Sequence, residues 1–188
     1  MKTRIICVAG CARSGKTTVG DILAAELIRT GAEVYIIPIA KKIKNEVPCD
    51  LHENKEEWRR RLIAYGEYHR ALHGDDFFVK ETLRDIPEGD NIYVIIDDLR
   101  LMAERDILST YNAYFIRMKI APTIHIERFK SKAEHKIYQR VAKHDKTELE
   151  LSLLPDSKFN KIINNSGNIE DLMVRVRKIV KDLTKQPD

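Results

Sequence analysis

A run of eight residues sets the tightest limit on how this chain folds. Gly10-Cys11-Ala12-Arg13-Ser14-Gly15-Lys16-Thr17 fits the pattern G-x-x-x-x-G-K-[ST] at every fixed position. It follows Arg4 to Ala9, an apolar and largely β-branched stretch that reads as a buried strand. It opens a stretch with Val19, Ile22, Leu23, Leu27 and Ile28 at helical spacing, closed by Gly31. Strand, glycine loop and helix in that order are the context in which the pattern means phosphate binding. The glycines let the backbone wrap an anion and aim N–H groups at its oxygens, and the helix behind adds the positive end of its dipole. Gly10, Arg13, Ser14, Gly15, Lys16, Thr17 and Thr18 are therefore expected to hold the phosphates of ATP. Lys16 reaches the β- and γ-phosphates, and the Thr17 hydroxyl is placed for Mg²⁺.

The rest of the chain repeats the alternation. Glu33 to Ile39 reads as a second strand despite Pro38 near its end, and Asn91 to Ile96 as a third after the turn Pro87-Glu88-Gly89-Asp90. Ala113 to Met118 reads as a fourth and Lys161 to Ile163 as a short fifth. Between them the spacing predicts helices over Lys41 to Val47, Glu53 to Leu72, Asp75 to Leu83 and Leu101 to Leu108. A basic helical stretch runs from Pro122 to about Asp156, and an amphipathic helix over Ile169 to Leu183 is capped by Asn168. This predicts an α/β fold of about five parallel strands with helices on both faces.

The 188 residues suit one domain, 1–188. With 43% hydrophobic and 33% charged residues the chain can bury a core, and its apolar runs are strand-sized, far short of the ~20 residues of a membrane helix. Cys7, Cys11 and Cys49 cannot all pair and show no zinc spacing. Reduced thiols and the lack of a signal-peptide pattern predict a cytoplasmic protein. The net charge of +4 suits phosphorylated substrates but also weak nucleic-acid binding.

A phosphate loop that works with magnesium needs an acid at the end of a neighbouring strand. The third strand ends in Asp97-Asp98, and the two point to opposite sides if the strand continues through them. Which of them serves the metal stays open; Asp97 is taken with Thr17 for the metal and Asp98 for catalysis. An acceptor phosphate needs arginines, and Arg70 with Arg59 or Arg60 supplies a candidate clamp. The basic stretch at about 120–156 reads as a lid that keeps water from the transferred group, with Arg128 and Arg140 as candidates to neutralise its charge. The helical stretch at about 41–90 reads as the acceptor-binding insertion. Neither the D-x-x-G turn nor the [NT]-K-x-D reader of a GTPase occurs, and no RNA-binding signature is present. An ATP-driven switch or nucleic-acid module therefore stands behind a kinase.

The phosphate loop with its Arg-Ser-Gly-Lys resembles that of bacteriophage deoxynucleoside monophosphate kinases. Val94-Ile95-Ile96-Asp97-Asp98-Leu99-Arg100 with Glu104 looks like that family's strand, Asp-Val-Arg-Phe and Glu signature. Pro38-Ile39-Ala40-Lys41-Lys42-Ile43-Lys44 is similar to its Phe-Ala-Asp-Pro-Leu-Lys segment. Phe159-Asn160-Lys161-Ile162-Ile163-Asn164-Asn165-Ser166-Gly167 resembles its closing Asp-x-Val-Ile-x-Asn-x-Gly. Gly66-Glu67-Tyr68-His69-Arg70 and Phe77-Phe78 also resemble a stretch of animal-type phosphomevalonate kinases, and Asp145 to Glu150 looks like the acidic stretch both groups carry in the lid. The resemblance implies a P-loop kinase fold, ATP with Mg²⁺, and a small phosphorylated acceptor, a deoxynucleoside monophosphate first and phosphomevalonate or another metabolite second. It implies an acceptor or transition-state role for Arg100 and an adenine site at Asn165 and Gly167. Lys41, Ile63 and Glu67 depart from the family pattern where the acceptor should bind, so acceptor identity is what they unsettle. A homodimer is one open option for its assembly.

Overall fold

The computed structural model describes residues 3–49, 55–143 and 145–185, apart from the side chains of residues 55, 56, 59 and 141. Five strands, β1 (Arg4–Ala9), β2 (Glu33–Ile36), β3 (Ile92–Leu99), β4 (Tyr114–Lys119) and β5 (Lys161–Asn164), form one sheet in the order β2-β3-β1-β4-β5. Every pairing is parallel. Such a sheet needs cover on both faces, and the pleat of β1 and β3 supplies an apolar set to each. Ile5, Cys7 and Ala9 with Val94 and Ile96 join Ile43, Phe78, Val79 and Leu108 in one core. Ile6 and Val8 with Tyr93 and Ile95 join Val19, Leu23 and Leu27 of α1 (Lys16–Ile28) and Leu172, Val176 and Ile179 of α9 (Ile169–Lys185) in the other. Each such Leu, Ile or Val contributes about 1.5–3 kcal/mol by leaving water. The expected α/β architecture with helices on both faces is the observed one.

The first core is covered by α2 (Ala40–Glu46), α3 (Lys55–His73), α4 (Phe77–Leu83) and α5 (Met102–Ser109). Asn168 caps α9 as expected, its Oδ1 accepting from the Asp171 N–H at 2.8 Å. Some boundaries differ from the sequence expectation. β2 ends at Ile36 rather than Ile39: Ile37 still donates to Ile95 O, but Pro38 has no N–H and the amides of Ile39 and Ala40 turn to Asp98. The expected first residues of the Glu53 helix, Glu53 and Asn54, lie outside the described residues. The stretch after Pro122 is broken into α6 (Pro122–Glu127), α7 (Lys132–Ala142) and α8 (Lys146–Leu149), followed by 3-10 turns at Glu150–Leu153 and Asp156–Lys158. Among the described residues no helix is long and apolar enough to cross a membrane.

Candidate active site

The phosphate loop leaves β1 at its carboxyl end, between β3 and β4. It turns through Arg13 at φ 60 and Gly15 at φ 94, and α1 begins at Lys16. A side chain at Gly15 has no room, since its Cβ would stand 2.3 Å from Asn165 Nδ2. Lys16 Nζ lies across the loop and donates to Gly10 O at 2.8 Å and Cys11 O at 2.9 Å. Burial first, and the Arg100 guanidinium second, push its ammonium down to about 8, against the pull of Glu148. Ser14 Oγ is buried without a hydrogen-bond partner, and Thr17 and Thr18 are exposed to the cavity beside them. That cavity, of about 1230 Å³, is lined by Lys16, Thr17, Thr18, Asp97, Asp98, Arg100, Arg128, Asn165 and Gly167 among others.

The carboxyl-terminal segments brace the loop from behind. Asn165 is 5% exposed and donates from Nδ2 to Ser14 O at 2.8 Å, so its amide is engaged with the loop. Arg128 donates to Arg13 O at 3.1 Å and to Asn165 O at 2.8 Å. Arg13 answers with a 2.8 Å bond to Arg128 O and a 2.5 Å bond to Glu134, its guanidinium 4.7 Å above the Phe129 ring. Arg13 and Arg128 thus latch the α6–α7 segment to the loop.

β3 continues through Leu99, so the pleat does split the two aspartates. Asp97 faces α1, with its Cβ 3.2 Å from where a Gly20 Cβ would stand. Gly20 is what lets α1 pass so close to the strand. Asp97 Oδ1 is buried without a partner, and Asp97 shares the large cavity with Thr17. Among the described residues no group of three or more His, Cys, Asp or Glu side chains suits a metal. A Mg²⁺ brought in on nucleotide phosphates needs less, one or two protein oxygens, which Thr17 and Asp97 fit. Asp98 faces the other way. Its Oδ1 accepts from Ile39 N and its Oδ2 from Ala40 N, both at 2.8 Å, and burial still raises its pKa despite these amides.

A second cavity of about 400 Å³ adjoins the first; Ala40, Leu62, Asp98 and Arg100 line both. Its wall is aliphatic along Ile39, Ile43, Leu62, Ile63 and Leu101, and carries Arg70 and Glu104. Arg70 lies over the Phe78 ring at 5.2 Å with NH2 3.9 Å from Glu104, and its Nε has no partner. Glu104 Oε2 accepts from Arg100 N and Leu101 N at 3.0 Å each, and burial pushes its carboxyl up to about 7. Arg70 and Arg100 therefore line one cavity. Arg60 does not join them: it is exposed and lines neither cavity. Two residues along the helix from Leu62 place it roughly 200° around, on the far face. The side chain of Arg59 lies outside the described residues. Arg140 is exposed and lines neither cavity.

Sequence reasoning missed Glu148. Its side chain is 3% exposed; Oε2 accepts from the Ala12 N–H at 2.9 Å and from the Tyr138 hydroxyl at 3.0 Å, and Oε1 from Arg100 at 2.7 Å. The only signal was the acidic stretch Asp145 to Glu150, where Asp-x-x-Glu reads as a helix cap. Asp145 does cap, accepting from Thr147 N at 2.9 Å, and Glu148 turns away from the helix start to the loop.

No protein-family model and no curated protein matches the chain in sequence. Solved structures match it in shape. The APS kinase CysC of Mycobacterium tuberculosis, in complex with AMPPNP and APS, is 11% identical over 98% of this chain and 99% of that one, with a TM-score of 0.56. Shikimate kinase from Acinetobacter baumannii, in complex with shikimate, is 14% identical over 98% and 96%, with a TM-score of 0.55. Shikimate kinase from Bacteroides thetaiotaomicron is 13% identical over 99% and 100%, with a TM-score of 0.51. At these identities the likeness is one of fold, and the five-stranded parallel sheet with its flanking helices is the fold of these P-loop kinases.

Proposed function

We propose that this chain is a kinase that moves the γ-phosphoryl group of ATP to a small acceptor already carrying a phosphate, a deoxynucleoside monophosphate first, to give the diphosphate and ADP. The observation that carries the reading is the junction of the two cavities. Lys16 and the loop stand on one side and Arg70 on the other, Arg100 and Asp98 line both, and Asp98 holds an amide on each oxygen. A hydroxyl acceptor calls for a base free to take its proton. An acceptor phosphate is already ionised and needs cations instead, which the junction offers.

In this reading Lys16 and the loop from Gly10 to Thr18 grip the ATP phosphates, and Thr17 and Asp97 hold Mg²⁺. A Mg²⁺ held there would offset the negative charge of the ATP phosphates. The adenine end lies toward Asn165 and Gly167, with Asn165 acting chiefly through the loop it braces. Arg100 and Arg70 bind the acceptor phosphate, and Arg128 with the α6–α8 segment closes over the loop as a lid. The acceptor-side wall comes from positions 41–90. The aliphatic lining of Ile39, Ile43, Leu62 and Ile63 favours a second reading, a phosphorylated aliphatic metabolite such as phosphomevalonate. ADP release from ATP and Mg²⁺, measured with each of the four deoxynucleoside monophosphates and with phosphomevalonate, separates the two. Turnover that needs one of these acceptors supports the reading. ADP release that ignores them, or that rises only with DNA or RNA, overturns it in favour of an ATPase switch.

A further inference from the structure

Glu148 ties the phosphate loop, the loop after β3 and the α7–α8 segment to a single point. Its three donors come from Ala12 N in the first, Arg100 in the second and Tyr138 in the third. A carboxylate this buried has to be either neutral or fully paired. Burial pushes its pKa up, but Arg100 and the Ala12 amide outweigh that and hold it below the usual carboxylate range, so the group is ionised at neutral pH. Nothing in its own helix requires it there, because Asp145 already caps α8. Among the described residues it is also the only side chain that hydrogen-bonds the Arg100 guanidinium. Arg100 is 32% exposed and lines both cavities, so the face left by Glu148 is the face open to ligands.

We propose that Glu148 is the positioning residue of the acceptor site. It sets Arg100 toward the acceptor phosphate only while the α7–α8 segment is seated on the phosphate loop, and so couples lid closure to acceptor binding. The inference rests on the kinase reading above and names the residue that joins its two halves. An arginine held at one nitrogen has given up much of its side-chain freedom before the acceptor arrives, which lowers the cost of binding. With Glu148 bonded also to Ala12, Arg100 takes that pose only in a closed site, where water is excluded.

Glu148→Gln keeps the shape but removes the charge. Its amide can face Arg100 or Ala12 with an oxygen, not both, so one donor is left facing a donor. Acceptor KM, ATP KM and kcat are measured with the monophosphate that gives the highest turnover, for wild type, Glu148→Gln, Arg100→Ala and the double variant. The proposal expects acceptor KM to rise about tenfold, the size of one lost charge-assisted hydrogen bond, and by more than ATP KM, which shifts only through the lost Ala12 contact and the weaker pull on Lys16. It also expects Glu148→Gln to add little once Arg100 is gone, because it acts through that residue. A normal acceptor KM in Glu148→Gln, with a raised one in Arg100→Ala, overturns the proposal and leaves the kinase reading standing. Equal penalties on both backgrounds mean a merely structural role and overturn it too. Should Glu148→Gln not fold, Tyr138→Phe removes one of the three donors, and the same cycle with Arg100→Ala must show a smaller effect that vanishes without Arg100. A wild type inactive with every acceptor fails the kinase reading itself and takes this proposal with it.

Discussion

At the scale of single residues the lysine of the phosphate loop offers the sharpest test. Its pKa of about 8 reflects burial and the nearby Arg100, in a site facing its own loop carbonyls. Raising pH through 8 removes the ammonium from free protein, so kcat/KM for ATP should fall by about tenfold per pH unit above about 8. Bound phosphates favour the charged form, so kcat should hold to higher pH than kcat/KM. Lys16→Ala should lose phosphoryl transfer and keep its fold. A kcat/KM profile that stays flat well above pH 9 shows that the charge of Lys16 does not carry ATP binding. Residues of this kind were legible because backbone geometry dictates them: a loop between strand and helix has one place for each glycine and for the lysine. Asp97 and Asp98 were legible as a pair on opposite faces, since the period of a strand is two. Arg60 and Glu148 were not. The first needs the phase of α3, and the second needs a tertiary contact across 136 positions of chain.

At the scale of elements the carboxyl end of β3 governs the start of α2. Asp98 joins the end of that strand to the first amides of the helix, so one carboxylate sets where α2 begins and where one cavity wall stands. Asp98→Asn keeps one acceptor and turns an amide group toward the other N–H. The expected cost is about 1–2 kcal/mol. At roughly 2–4 °C per kcal/mol for a chain of this size, the melting temperature should drop visibly. Asp97→Asn leaves Oδ1 without a lost partner, so it should melt as wild type while Mg²⁺-dependent turnover falls. Thermal melts of the two variants side by side check the contrast, and equal melting temperatures sink it. Long periodic elements such as α1 and α9 were read to within a few residues because their apolar stripes are theirs alone. The end of β2 and the breaks after Pro122 were not, because there Pro38, Asp98 and the phosphate loop compete for backbone groups.

At the scale of the whole molecule the two cavities behave as halves of one opening. A parallel sheet puts all strand carboxyl ends on one edge, and the loops from β1, β3 and β5 meet there. This much follows from the alternation of strand and helix, which is why the architecture was readable before the side-chain placements. What sequence leaves out is the distance between the two halves, since it is set by how α3 and the α6–α8 segment pack. Ala40, Leu62, Asp98 and Arg100 line both cavities, so the donor and acceptor phosphates should lie close enough to be bridged. A ligand joining adenosine to a deoxynucleoside through five phosphates should then bind more tightly than a non-hydrolysable ATP analogue. Linking makes the second contact intramolecular, at an effective concentration in the millimolar range, so the gain should reach about a hundredfold or more where the geometry allows. Titration calorimetry of the linked ligand, the ATP analogue and the monophosphate reads the gain directly. Arg100→Ala should cost the linked ligand and the monophosphate alike while sparing the ATP analogue. A linked ligand that binds no better than the analogue, with the monophosphate still binding alone, shows that the acceptor lies outside the second cavity.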